Sequence, residues 1–152
     1  MGITEKPTDN IRDISLDMAD RQRFRINGNP DAIIELNLSD MGIVDRMEKG
    51  VEALNKKMGE IARTSSDDEN LSEKLKQIDQ DMRDVIDNIF DYPVSAVCAK
   101  YGTMYDPKDG KFRWESILDG LTKLYTNNLN EEYKRLNARL KKHTSKYTGK
   151  KK

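Results

Sequence analysis

The residues of this chain that could do chemistry are few, and they stand apart. There is one cysteine, Cys98, and one histidine, His143. A thiolate nucleophile needs a base within hydrogen-bond reach, and a zinc site needs several nitrogen or sulfur ligands. Cys98 lies in the apolar run Val94-Ser95-Ala96-Val97-Cys98-Ala99 and reads as a small buried thiol. One cysteine permits no internal disulfide, which fits a reducing cytosol. The stretch Asp106-Pro107-Lys108-Asp109-Gly110 resembles the start of a calcium loop, but Lys108 and Gly110 occupy its third and fifth positions. Neither side chain can ligate there, so the stretch reads as a structural turn. Acids crowd Asp67 to Asp91, with only Lys74, Lys76 and Arg83 among them. Acids on helices usually make a solvated face, and without a visible cleft no acid–base pair can be chosen. GxGxxG, GxSxG and HExxH are all absent. The chain therefore reads as non-enzymatic, with no catalytic, cofactor or metal residue.

Charge narrows the partners. The 27 basic and 27 acidic residues cancel, so no global pull on nucleic acid or membrane is expected. The balance is uneven, since from Tyr133 onward there are nine Lys or Arg and no acid. Arg135, Arg139, Lys142 and Lys146 recur at helical spacing and could face phosphates. Alternatively, this basic helix lies beside the acidic one or is simply solvated, and it has few aromatics for base stacking. No apolar run is long enough for a membrane span, and the N-terminus has no signal-peptide core. Gly2 is followed by Lys6 where a myristoylation motif wants Ser or Thr.

The elements must therefore supply surfaces rather than a reaction centre. Phe24 and Ile26 alternate with Arg23, Arg25 and Asn27, and Ile34, Leu36 and Leu38 alternate with Glu35 and Asn37. Period two gives two strands with one face on a core. Asn27-Gly28-Asn29-Pro30-Asp31 is turn chemistry between them. Ile14, Leu16 and Met18 alternate as well, a candidate third strand. Ser39 stands where an N-cap should, with Asp40 suited to the positive helix end. Val44, Met47, Val51, Leu54, Met58 and Ile61 then form one apolar seam. A polar connector, Thr64 to Asn70, leads to a second seam: Leu71, Leu75, Ile78, Met82, Val85 and Ile89. Two such seams fit an antiparallel helical hairpin. Pro93 breaks the second helix, and a short helix over Val94–Tyr101 ends at Gly102. The last helix carries Trp114, Ile117, Leu118, Leu121, Leu124 and Tyr125, continued more thinly by Leu129, Tyr133, Leu136 and Leu140.

The expected fold is α+β: one domain with a loose tail over 1–10, a small antiparallel sheet within 12–38, a helical body over 40–143 of about four helices, and a flexible basic tail over 144–152. The short strands offer an edge for self-association at Phe24, Ile26, Ile34 and Leu36. The first seam, at Val44, Met47, Val51, Leu54 and Met58, is either closed core or an open groove for a partner helix.

The segments RFRINGN, IIELNLSD and YDPKDGKFRWESILDGLTKLY, in this order of elements from about Ile11 to Tyr147, resemble tail assembly chaperones of long-tailed bacteriophages and prophages of Gram-positive bacteria. The resemblance implies a small non-catalytic α+β protein of the host cytoplasm that binds the helical tape measure protein and keeps it soluble. It also implies self-association and a possible contact with tail tube protein. Many such proteins are made in a short and a frameshifted long form, which would place a slip site at or near Lys150 to Lys152. The rival readings are a nucleic-acid-binding accessory protein of a mobile element and a structural phage subunit.

Overall fold

The structure, a computed structural model, describes residues 10–16 and 21–148, with side chains through residue 141. It opens on a hairpin of β1 (Gln22–Arg25) and β2 (Ile33–Leu36), paired antiparallel with Phe24 opposite Ile34. Asn27 and Gly28 take positive φ, 51° and 73°, which both residue types tolerate. The loop closes through Ile26 N–H on the Ala32 carbonyl at 2.9 Å. Ile34 and Leu36 are fully buried, as their alternation requires.

Among the described residues no third strand joins this sheet. Residues 11–16 are irregular, and Ile14 is 78% exposed. Met18 lies outside the described residues. The hairpin is covered by helices instead, since Ile34 and Leu36 share one core with Ile86, Phe90, Val94 and Tyr125. That cover supplies what a lone hairpin lacks.

Helix α1 runs from Ile43 to Ala62, later than Ser39 suggested. Ser39 is no cap. Asn37 Oδ1 accepts the Ser39 N–H at 3.1 Å, forming an Asx turn that delays the helix. Gly42 is the N-cap, without a side-chain cap, and Asp40 precedes it, accepting the Gly42 N–H at 2.9 Å and pairing with Arg46. The Arg46 guanidinium holds the Asp40 carboxyl below its usual range. With the helix starting late, Ile43 enters the core and Val44 is left 57% exposed.

Helix α2 (Leu71–Phe90) packs back along α1. Gly50 allows a close approach there, since a Cβ would collide with the Ile89 side chain. Lys57 bridges to Asp81 at 3.0 Å further along the pair. The end of α2 is set by Asp91, whose φ of 52° serves a role usually given to glycine. Pro93 follows, and α3 (Val94–Cys98) is shorter than the expected helix to Tyr101.

The acids of α2 turn out to be structural. Asp87 accepts the Ser95 N–H at 2.8 Å and its hydroxyl at 3.0 Å, capping α3. Asp79 accepts the Met104 N–H at 2.7 Å and pairs with Arg83 at 2.9 Å. Arg83 donates in turn to the carbonyls of Ser95, Ala99 and Gly102. One guanidinium therefore ties down the irregular segment after α3, whose carbonyls would otherwise lack donors.

A two-residue turn at Asp109-Gly110 joins β3 (Pro107–Lys108) to β4 (Lys111–Phe112). Both turn residues have positive φ, the type I′ requirement. Helix α4, Arg113–Thr148, follows at once. Glu115 accepts the Phe112 N–H at 3.0 Å, the reciprocal half of a capping box. The helix continues to Thr148, past the end expected at His143. Trp114, Ile117, Leu118, Leu121 and Tyr125 are buried, and every residue from Asn130 to Lys141 is exposed. The four helices hold more than half of the 152 residues.

Candidate functional site

The first seam divides into three environments. Leu54 is fully buried, so it is core and not a partner contact. Met47, Val51 and Met58 are half-buried against that core, and Val44 is exposed. Met47 and Val51 also line a groove of about 620 Å³ between α1 and the first half of α4. Trp114 and Leu118 complete its apolar lining. Asn55, Lys111, Glu115, Asp119, Thr122 and Lys123 supply the polar lining. Lys111 and Asp119 pair at 2.5 Å, and this contact raises the Lys111 pKa.

Trp114 is nearly buried, yet its indole Nε1 has no hydrogen-bond partner. A buried donor left unpaired costs on the order of 1–3 kcal/mol. Trp114 lies on the apolar face expected of the last helix and belongs to the core. That it also lines a groove depends on which faces of α1 and α4 fail to meet, a tertiary fact that no local pattern carries.

The proposed edge residues sit mostly inside. Ile34 and Leu36 are core, and Phe24 and Ile26 are half-buried against it. The Ile34 and Leu36 side chains are thus closed to a second chain, whereas Phe24 and Ile26 keep part of their surface open. Part of the strand backbone is already engaged, since Arg21 donates to the Glu35 carbonyl at 3.3 Å and pairs with Asp91 at 2.9 Å.

A second apolar surface lies on distal α4. Leu129, Glu132, Tyr133 and Leu136 form a depression of about 370 Å³ with Ser39 and Met41. Leu140 lies further along, and Tyr133, Leu136, Leu140 and Met41 are all exposed. The thinning of the apolar pattern after Tyr125 was its signal in the sequence.

The chemistry-bearing residues do not converge. Burial pushes the Cys98 thiol up to about 11, with Asp87 adding to the effect, so it stays protonated at neutral pH. Asp106, first in the calcium-like stretch, is occupied by Thr103 and Arg113, and its hydrogen bonds from Thr103 lower its pKa. Among the described residues no group of His, Cys, Asp or Glu could hold a metal ion. Arg135 pairs with Glu132 and Lys134 with Glu131 on the basic helix. The side chains of Lys142, His143 and Lys146 lie outside the described residues, as do Lys150 to Lys152. No described helix is long and apolar enough to cross a membrane. No family model, curated protein or solved structure matches this chain.

Proposed function

We propose that this chain is a non-catalytic assembly chaperone of the bacterial cytoplasm. It accepts an amphipathic helix of a long partner in the α1–α4 groove and keeps that partner soluble. The tape measure protein implied by the phage-tail resemblance is the partner of choice, with tail tube protein a possible second. The groove carries the reading. Its apolar lining of Met47, Val51, Trp114 and Leu118 matches the apolar face of a helix, and its polar residues match the flanks. Met47 brings an adaptable thioether to that lining. The nucleic-acid alternative rests on Arg135, Arg139, Lys142 and Lys146, of which only Arg135 and Arg139 have described side chains.

Co-expression with a long helical protein encoded beside this chain tests the proposal. The soluble fraction of that protein should rise. Asn55→Arg, an exposed change at the groove, should cancel the rise while circular dichroism stays unchanged. An insoluble partner in the presence of the wild-type chain would refute the reading.

A further inference from the structure

The exposed seam of distal α4 carries its own pairing code. Leu129, Tyr133, Leu136 and Leu140 recur at spacings of four, three and four, a narrow stripe of two apolar positions per heptad. The chain does not cover it, since Tyr133, Leu136 and Leu140 are each about half exposed. We propose that this seam pairs with the same seam of a second copy, antiparallel and about a two-fold axis.

Charge selects both occupant and direction. Glu132 and Arg139 flank the seam on one side, seven residues apart, and Asn130 and Asn137 flank it on the other. In an antiparallel pair Leu129 stacks on Leu140 of the second copy, and Tyr133 on Leu136. That register sets Glu132 against Arg139 of the second copy, twice by symmetry. It also sets Asn130 against Asn137, and each amide can both donate and accept. A parallel pair would instead lay two basic ends side by side, with nine Lys or Arg and no acid from Tyr133 onward. Like charges at that range repel. The antiparallel arrangement separates these ends. The zero net charge adds no repulsion between copies. Leu140 of the second copy also arrives beside Leu129, where it covers the exposed Met41. Glu132 now pairs with Arg135 in its own helix, an exposed contact that exchanges readily.

Sedimentation equilibrium of the full chain, up to about 0.5 mM, is the test because dimers form by mass action. The wild-type chain should approach dimer mass. Leu136→Lys should be monomeric with an unchanged circular dichroism spectrum. Glu132→Arg and Arg139→Glu should each weaken association about tenfold, and the two together should restore it, because only antiparallel self-pairing turns two repulsions back into attractions. A wild-type monomer throughout the range would overturn the proposal, whatever other helix the seam binds. So would a Leu136→Lys dimer. A combined variant as weak as the singles would place the role of Glu132 in its own helix and overturn the pairing.

Discussion

The two halves of α4 share one unbroken helix but have opposite surroundings. From Trp114 to Tyr125, five of six apolar side chains are buried, and Tyr125 stacks on Phe90 at 6.0 Å between ring centroids. From Asn130 to Lys141 no residue is buried. The proximal half repeats apolar residues often enough to cover a wide arc and join a core. The distal half repeats them only at the two positions of a narrow seam. Helical propensity therefore does not distinguish the halves. Tertiary cover does, and it should govern how each responds to change.

Truncating equivalent leucines is the strongest way to break this comparison. Leu121→Ala in the proximal half should cost about 2–5 kcal/mol in denaturant unfolding. Leu136→Ala, 44% exposed, should cost roughly 0.5 kcal/mol or less in dilute solution. Similar losses at both positions would mean that distal α4 belongs to the folded body.

Alkaline pH gives the next effect. Burial raises the Tyr125 phenol from 10.0 to about 12, with Asp40 adding to the rise. The folded chain thus holds its proton after the unfolded chain has released it. Stability should be intact below pH 10 and fall progressively toward pH 12. In Tyr125→Phe that part of the fall should vanish, measured by urea midpoints across the alkaline range.

Smaller still is the effect of Gly120, in the proximal half, on its exposed face. A Cβ there meets nothing within 4 Å, so Gly120→Ala should raise stability by about 0.5–1 kcal/mol. A loss would mean that this face touches something in solution. Least of all should come from truncation after Lys141, because every residue from Asn130 to Lys141, where the helix leaves the body, is exposed. The melting temperature should stay nearly the same, and a large drop would dock the removed segment on the body.

Much of this architecture was legible from local pattern. The alternation at Ile34 and Leu36, the seams of α1 and α2, and the apolar face after Trp114 each satisfy a period that one face must bury. Errors came where a neighbour competed. Asn37 drew the Ser39 amide into an Asx turn and Asp40 the Gly42 amide into another, so the helix starts after Gly42 and the inward position passes from Val44 to Ile43. Ile14 and Leu16 have strand-like alternation, but helices already cover the apolar face of the hairpin, and both side chains are left exposed. Arg83 was invisible as a structural hub because its carbonyl partners lie 12 to 19 residues away. The candidate site was half legible. Met47 and Val51 were identified, but Leu54 could not be separated from them, because burial depends on how α1 packs on its neighbours, chiefly α2.

Trp114 has one more consequence, for measurement. It is the only tryptophan in the chain, it is nearly dry, and it lines the α1–α4 groove. Its emission is therefore an unlabelled optical gauge of that groove. A helix seated over the groove would change the polarity beside the ring and shift the emission wavelength. Association through distal α4 would do so only if the second copy reached as far as the groove, so one fluorescence titration can report which surface a partner has found.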